Sequence, residues 1–297
     1  MSLVIVGSLA LDSISTKAGS VQDALGGSAF YASIAASYFH QTGIVGVVGD
    51  DYPQAGIDLL KKHKVNLDGL ETVSGKTFRW SGKYEQWNQA DTLNTELNVF
   101  ADFNPTLPLA YRNCRNLLLG NIHPSLQLQV LNQVESYECV ACDTMNYWIT
   151  GEQQALSEVI RKMDVVFMNE EEVCQYTGCD NIFKAGREIL KMGVKLIVIK
   201  RGEYGSICIS NDYLVFMAAY PIEDVVDPTG AGDCFAGGFM GYLASKPKPN
   251  KQDIREAALT GTVMAALNVS GFSVNGIDNA DKQAIDAKIK QLRDWTS

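Results

Sequence analysis

A carboxylate beside a glycine-rich turn is the strongest chemical feature of the sequence. In residues 225–244, VVDPTGAGDCFAGGFMGYLA, a strand-like run leads into Gly230, Ala231, Gly232 and Asp233, which open an apolar helix. Small residues at a helix start let several backbone N–H groups converge on an anion, which the helix dipole also favours. A carboxylate there can take a proton from a hydroxyl while the amides hold phosphoryl oxygens. The pattern predicts phosphoryl transfer, although Asp233 as a simple helix cap is the alternative.

Two other nucleotide-binding motifs are missing from the sequence. There is no GxxxxGK[ST] P-loop, and residues 230–235 lack the third glycine of GxGxxG. A nucleotide-dependent oxidoreductase is therefore a weak alternative, which a thermal shift with NAD would test.

Composition and charge limit the classes of binding partner and the cellular compartment to be expected. The 297 residues carry a net charge of −9 and no long basic run, which argues against nucleic acid or an acidic membrane surface as partner. No leader and no stretch near roughly 18 apolar residues is found, so we expect a cytoplasmic protein with seven reduced cysteines. Cys139 and Cys142 form a lone CxxC, without a second CxxC or a histidine pair, and we expect small buried strand residues.

The elements that must position this chemistry alternate along the chain. Near-continuous apolar runs predict strands at 3–7, 43–49, 116–120, 139–144, 165–168 and 196–200. Helices are predicted near 28–40, 53–64, 125–137, 151–162 and 180–192, followed by a short antiparallel pair and two closing helices near 231–245 and 252–268. This order is typical of a doubly wound α/β sheet, in one domain over 1–297.

Two polar, aromatic segments interrupt the alternation. Residues 12–25 and 72–101 have no helical periodicity, and the second contains the β-like stretch FRWSGKYE. Insertions of this length are uncommon in a compact domain unless they cover or bind something. We therefore expect a small β-rich lid over the main sheet, with an ordinary surface hairpin as the alternative.

The run D-P-T-G-A-G-D, opening a helix near the C-terminus, resembles the second signature of the ribokinase-like carbohydrate kinases, the phosphofructokinase B family. The resemblance spans nearly the whole chain and includes, in order, GSLALD (7–12), Gly26-Gly27, Gly49-Asp50-Asp51, NEEE (169–172) and KRGEYG (200–205). It implies a ribokinase-like three-layer α/β/α sandwich with a mostly parallel sheet and a small β-rich lid. It also implies ATP and Mg²⁺ as cofactors and, as in many relatives, K⁺.

The resemblance assigns roles around the glycine-rich turn. Asp233 matches the general base, and Gly230, Ala231 and Gly232 match the anion hole. Asp227 and Thr229 match positions that bind a monovalent cation in many relatives.

The same resemblance places the nucleotide elsewhere on the chain. Asn169 and Glu172 match an NxxE element that orients Mg²⁺ through water, and their i, i+3 spacing puts them on one helix face. A helix cap with an acidic first turn explains the pair as well. Gly202 and Gly205 match a turn against the nucleotide. Lys200, where many relatives carry Thr, would contact phosphate directly, and Asn268 opens a stretch that lines the adenine pocket in relatives.

Substrate recognition is implied for Asp12, Gly27 and Ser28. Tyr31 stands where the family usually has Asn, and Ala10 replaces a polar residue, which argues against ribose because each sugar hydroxyl needs a partner. Tyr31 either faces the core or supplies its own hydroxyl. Asn146, with Asp143, follows a strand end where α/β sheets place ligands, unless the two only form a turn.

The lid aromatics can stack on a base or a sugar, or simply pack the lid. They are Phe78, Trp80, Tyr84 and Trp87, with Arg79 expected on the opposite face from Phe78 and Trp80. The sequence thus predicts an ATP-dependent sugar kinase that phosphorylates a hydroxymethyl group, as a monomer or a homodimer through the lid. A nucleoside (adenosine-like) kinase and a non-catalytic sensor of the same fold are the alternatives.

Overall fold

Short buried strands alternate with helices along most of the chain. The computed structural model describes residues 1–296. The strands are β1 (Leu3–Val6), β2 (Ala10–Thr16), β3 (Gly19–Gly26), β4 (Thr42–Gly49), β5 (Asn66–Val73), β6 (Phe78–Gln86), β7 (Gln89–Glu96), β8 (Asn116–Leu119), β9 (Cys139–Asp143), β10 (Val165–Asn169), β11 (Leu196–Lys200), β12 (Ser206–Ile209) and β13 (Leu214–Met217). The helices are α1 (Ser28–Ser37), α2 (Gln54–Lys62), α3 (Pro124–Leu131), α4 (Asn146–Gly151), α5 (Gln153–Ile160), α6 (Glu170–Thr177), α7 (Ile182–Lys191), α8 (Ala231–Leu243), α9 (Lys251–Val269), α10 (Asn275–Asp278) and α11 (Lys282–Trp295).

A large sheet contains nine strands in the order β13-β12-β11-β10-β9-β8-β1-β4-β5. The strands from β11 to β5 pair in parallel, whereas β12 runs antiparallel to both β11 and β13. The carboxyl ends of β9, β10 and β11 therefore lie side by side and carry Asp143, Asn169 and Lys200 as last residues. In open α/β sheets this edge is where ligands bind.

The core lies on both faces of the large sheet. On β1, Leu3 and Ile5 pack in a cluster with α1, α8 and α9, whereas Val4 and Val6 pack in a second cluster with α5 and α7. Successive strand side chains point to opposite faces, so continuously apolar strands need helices on both sides. The predicted three-layer α/β/α sandwich with a mostly parallel sheet is confirmed.

A small sheet is built from the two segments that broke the alternation. Its order is β3-β2-β6-β7, with antiparallel hairpins β2–β3 and β6–β7 joined by a parallel β2–β6 pair. On β6, Arg79 pairs with Asp51 and Asp23. The expected separation of Arg79 from Trp80 follows, because adjacent residues on a strand project to opposite faces.

Four sequence predictions differ from the structure at the level of elements. β5 extends the large sheet through residues 72–73, which we had assigned to the insertion; it is an edge strand with a mostly exposed pattern, so it lacks a continuous apolar run. The helix predicted over 125–137 ends at Leu131, and the one over 151–162 is α5, preceded by α4. Two helices, α10 and α11, follow the pair that we expected to close the chain.

The cysteines and the helices bear on whether the chain has a redox, metal or membrane site. All seven cysteines are free, and burial raises the pKa of the Cys139 thiol to about 12. Cys139 and Cys142 both lie on β9, which agrees with their assignment as strand residues. Within residues 1–296 no group of three or more His, Cys, Asp or Glu side chains is arranged to hold a metal ion. Across the same residues, no helix has the length and apolar character needed to cross a membrane.

Candidate functional site

The turn before α8 is held in shape by two buried polar side chains. Asp227 accepts hydrogen bonds from the backbone N–H of Thr229 at 2.9 Å and of Ser273 at 3.4 Å. Asn268 donates through Nδ2 to the Thr229 carbonyl at 2.7 Å. Asn268 is fully buried, so in this structure its side chain positions the turn, and its predicted place beside the adenine stays a prediction.

Gly230 begins α8 in a conformation that other residues rarely adopt. Its φ is +76°, and a β-carbon placed there would overlap the ring of Tyr31 at 2.4 Å. Glycine is therefore required twice, for the left-handed backbone and for the close approach of the ring. Tyr31 is thus the floor beneath the turn.

The first turn of α8 offers amides and a carboxylate together. The amide of Ala231 donates to the Pro228 carbonyl at 3.1 Å, so in this structure it is not free to bind an anion as predicted. Gly232 and Asp233 are the second and third residues of the helix, where an amide has no carbonyl partner in its own helix. Burial, reinforced by Asp143, raises the pKa of Asp233 to about 7, with Lys200 opposing the shift.

Lys200 lies where three acidic side chains meet. Its Nζ is 2.6 Å from Oδ2 of Asp143, and it also acts electrostatically on Glu172 and Asp233. A β-carbon on Gly232 would lie 3.0 Å from the ammonium, so the missing side chain leaves room for Lys200 beside the helix start. The structure therefore brings Asp143, Glu172, Lys200 and the turn of α8 into one cluster.

Asn169 and Glu172 form a reciprocal cap on α6. Asn169 Oδ1 accepts from the Glu172 amide and Glu172 Oε2 accepts from the Asn169 amide, both at 2.8 Å. The helix cap is thus present, and it fixes both side chains beside Lys200. Burial raises the pKa of Glu172 to about 7, with Lys200 the largest opposing influence.

The glycine turn after β11 contacts the small sheet. Gly202 and Gly205 have φ values of +54° and +88°, which glycine adopts at little cost. A β-carbon on Gly202 would overlap Oδ1 of Asn88, and the Asn88 amide donates to Glu203. Asn88 lies at the tip of the β6–β7 hairpin, a contact that sequence reasoning did not identify because it depends on how the two sheets meet.

Asp12 is a buried carboxylate on β2 that interacts electrostatically with Asp227 and Asp233. Burial, with Asp227 and Asp233 adding to it, raises the pKa of Asp12 to about 8, and the Gly27 amide opposes the shift. Gly27 has φ +97° and stands against the Ser8 carbonyl. The structure therefore brings together Asp12 and Gly27, two of the residues predicted to bind the acceptor.

Ser28 and Asn146 are placed differently from Asp12. The Ser28 hydroxyl accepts from the Ser8 amide at 3.2 Å, and the Ser8 hydroxyl accepts from the Ser28 amide at 3.0 Å. Ser28 is thus tied into a buried local pair that joins β1 to α1. Asn146 is exposed on the first turn of α4, away from that pair.

Three tyrosines surround Asp12. Tyr31 is 1% exposed, and the hydroxyls of Tyr31 and Tyr52 are buried without a hydrogen-bond partner in the described chain. Tyr84, from β6, meets the Thr229 hydroxyl at 3.2 Å. Burial raises the pKa of Tyr84 to about 12, and Asp227, Asp12 and Asp233 contribute to that rise. Tyr52 was missed because no spacing in the sequence links residue 52 to residue 12.

The other aromatic residues of the small sheet divide into two kinds. Phe78 stacks on Phe100, which stacks on Phe103, so it packs the base of the sheet. Trp80 is the register partner of Asp12 across the parallel pair, which puts both side chains on the same face. Its ring lies over Gly82, where a β-carbon would overlap it.

Comparison with known proteins is consistent with this geometry. The family model described as pfkB family carbohydrate kinase matches residues 2–280. A cytidine kinase of Thermococcus kodakarensis is 29% identical over 254 residues, 83% of this chain and 90% of that protein. At the level of fold, a Methanocaldococcus jannaschii nucleoside kinase superposes with TM-score 0.77 at 18% identity, covering 98% of this chain and 99% of that one. Arabidopsis thaliana ribokinase complexed with ribose and ATP superposes with TM-score 0.75 at 23% identity, covering 97% and 98%.

Proposed function

The chain belongs to the pfkB family of carbohydrate kinases, and on that premise we propose that it is an ATP-dependent kinase acting on a hydroxymethyl group of a sugar or nucleoside. The observation that carries the proposal is Asp233 in the first turn of α8, beside free helix amides and Lys200. Its pKa of about 7 lets the carboxylate accept a proton near neutral pH.

The residues divide the proposed reaction between them. Asp233 removes the proton of the acceptor hydroxyl as that oxygen attacks. The amides of Gly230, the residue that caps α8, and of Gly232, in its first turn, hold the negative charge of the phosphoryl group. Mg·ATP, when bound, would supply the γ-phosphoryl group, with ADP as the leaving group, and a metal ion that neutralises the negative charge. Asn169 and Glu172, fixed by their reciprocal cap beside Lys200, suit Mg²⁺ held through water, because oxygen ligands match that ion.

A monovalent cation at Asp227 and Thr229 fits the structure less well. Both Asp227 carboxylate oxygens accept backbone N–H groups, and the Thr229 carbonyl accepts from Asn268. Potassium would have to share or displace these bonds. No step of the proposed reaction is therefore assigned to K⁺.

The small sheet is proposed to be the lid of the acceptor site. Tyr84 brings β6 onto the turn before α8, and Asn88 brings the hairpin tip onto the turn at Gly202. A lid in this position excludes water from the transferred phosphoryl group, which would otherwise be lost to hydrolysis.

ADP release with a panel of acceptors tests the proposal. Ribose, fructose, cytidine, adenosine and inosine would each be incubated with ATP, Mg²⁺ and protein, with Asp233→Asn as the control that removes the base. Turnover that depends on an acceptor and on Asp233 is expected. ATP binding with no turnover on any acceptor would instead favour the non-catalytic sensor.

A nucleoside acceptor is the second candidate, favoured by Trp80 on the same face as Asp12. An aromatic ring there can stack on a base, an interaction worth roughly 1–3 kcal/mol per base. Trp80→Ala should then raise KM for nucleosides by about 5- to 150-fold and leave KM for simple sugars unchanged. Trp295→Ala, on α11, is the matched control because Trp295 is exposed and far along the chain. An equal change for sugars and nucleosides would exclude base stacking.

A further inference from the structure

Lys200 and Asp143 form a buried ion pair at the carboxyl ends of two strands of the large sheet. The two side chains are 17% and 5% exposed, and their atoms are 2.6 Å apart. They close β11 and β9, so the lysine reaches across the end of β10 to find its partner. Taking a lysine and an aspartate out of water costs more than most such pairs return. Stability therefore gives little reason to put the pair here.

A second lysine–aspartate pair on neighbouring strand ends gives a direct contrast. Lys195 and Asp164 lie just before β11 and β10, at the opposite end of the sheet, and are also 2.6 Å apart. Lys195 is 77% exposed, so its ammonium stays hydrated. The same two residue types thus form an ordinary surface pair at one end and a buried pair at the end that carries the site.

The surroundings of Lys200 indicate what the buried pair does. The ammonium faces Asp143 on β9, Glu172 on α6 and Asp233 on α8, one cation among three carboxylates. Its short bond is to Asp143, although Asp233 is also within electrostatic range. Gly232 leaves the space in which the ammonium sits next to the first turn of α8.

We propose that Asp143 is a positioning residue, which holds Lys200 beside the first turn of α8 to meet the γ-phosphoryl group and keeps it from pairing with Asp233. This rests on the proposed kinase function. Lys200 then binds the group being transferred, and Asp143 leaves the base free to accept the acceptor's proton. Without Asp143, the ammonium turns to the nearest remaining carboxylates, Asp233 among them.

Binding measurements test the role of Lys200 without relying on turnover. Isothermal titration with Mg²⁺ would compare ADP with a non-hydrolysable ATP analogue in wild type, Lys200→Met and the matched control Lys195→Met. Loss of a charge-assisted contact to the γ-phosphate should weaken binding of the analogue about 10- to 100-fold in Lys200→Met and leave ADP binding within about threefold. Lys195→Met should match wild type. Equal losses for ADP and the analogue, or no loss, would overturn the role of Lys200.

Asp143 needs a readout that a merely structural residue would not move. Asp143→Asn should lower kcat at least about tenfold and weaken binding of the analogue while ADP affinity holds, because the lysine is present but no longer held against the γ-phosphoryl group. In a double-mutant cycle, adding Asp143→Asn to Lys200→Met should cost no further activity, since Asp143 acts through Lys200. Additive losses, or wild-type kcat in Asp143→Asn, would refute the positioning role.

The experiments remain informative if a single variant unfolds or if the kinase proposal itself fails. The double variant removes both charges together, which buried pairs tolerate better than loss of one partner, so it supplies the ADP and analogue comparison should Lys200→Met unfold. Failure of the kinase proposal is distinguishable, because it would abolish acceptor-dependent turnover in wild type. Failure of the positioning role leaves that turnover intact.

Discussion

The two sides of the cleft treat their carboxylates differently. On the side proposed for the acceptor, Asp12 and Asp227 are held by backbone N–H groups, from Gly27 for the first and from Thr229 and Ser273 for the second. On the side proposed for the nucleotide, Asp143 pairs with the ammonium of Lys200. The contrast suits the proposed ligands. A permanent cation would prepare one side for a triphosphate, whereas Asp12, without a cationic partner, would offer the other side a hydrogen-bonding group for the hydroxyls of a neutral substrate.

The largest expected effect is at the residue that both sides share. Asp233→Asn keeps the size of the side chain but cannot accept a proton, so kcat should fall by about 10²–10⁴-fold or more. Nucleotide affinity, measured by titration calorimetry with Mg·ADP, should stay near the wild-type value. A variant that turns over within threefold of wild type would remove Asp233 from the role of base.

Asp143→Asn and Asp12→Asn are expected to change the free energy of unfolding in opposite directions. Asp143→Asn leaves Lys200 buried without its carboxylate, which should lower the free energy of unfolding by about 3–5 kcal/mol. Asp12→Asn removes a buried charge that has no cationic partner of its own, so at pH 9 it should raise the free energy of unfolding by up to a few kcal/mol.

Urea unfolding at pH 9 measures both variants, with Lys195→Met as a surface control. Equal destabilisation by Asp143→Asn and Asp12→Asn would show that the two sides do not differ in charge compensation.

Alanine substitutions at two glycines test whether Tyr31 supports the turn before α8. Gly230 and Gly178 have similar φ values, +76° and +68°, but a β-carbon on Gly178 would meet nothing within 4 Å. Both alanine variants should lose about 1–2 kcal/mol for the left-handed backbone. Gly230→Ala should lose a further roughly 1–3 kcal/mol because it must displace Tyr31.

Only Gly230→Ala should also reduce kcat, since only it moves the first turn of α8. Thermal unfolding together with ADP release measures both effects. Loss of activity in Gly178→Ala, or none in Gly230→Ala, would contradict the assignment of Tyr31 as the floor.

The pH dependence should be the mildest effect. Because the base must be ionised and its pKa is about 7, kcat should fall roughly tenfold for each pH unit well below 7. A rate that is flat between pH 5 and pH 8 at saturating substrate would argue against Asp233 as the titrating group.

The same raised pKa values set the direction of stability with pH. Asp12 and Asp233 are raised to about 8 and about 7, so the folded state binds protons that the unfolded state has already released. Their favourable contribution is complete below about pH 4 and is lost as pH rises through 7 to 8. The melting temperature of wild type should therefore fall between pH 6 and pH 9, and Asp12→Asn should flatten that fall.

Prediction from sequence worked where local chemistry leaves few choices. Continuously apolar strands such as β1 require helices on both faces, and the GAGD turn requires glycine and a carboxylate at a helix start. It failed at β5, an edge strand with a single buried residue, and it missed α11, although Ile285, Ile289 and Leu292 recur there at helical spacing. The assignment of Ser28 and Asn268 to ligands stays a prediction, and the structure shows both in hydrogen bonds within the chain, with Ser8 and Thr229.

The sequence by itself determined the sandwich, its segmentation into two sheets and the residue types available for phosphoryl transfer, because each follows from short-range patterns of hydrophobicity and turn chemistry. Tertiary structure alone decided which charges meet. Asp143 and Lys200 are 57 positions apart, and Tyr84 and Thr229 are 145 apart. Such pairs depend on strand order and on how the small sheet folds over the large one. Electrostatic coupling follows distance in space, so no spacing along the chain could reveal it.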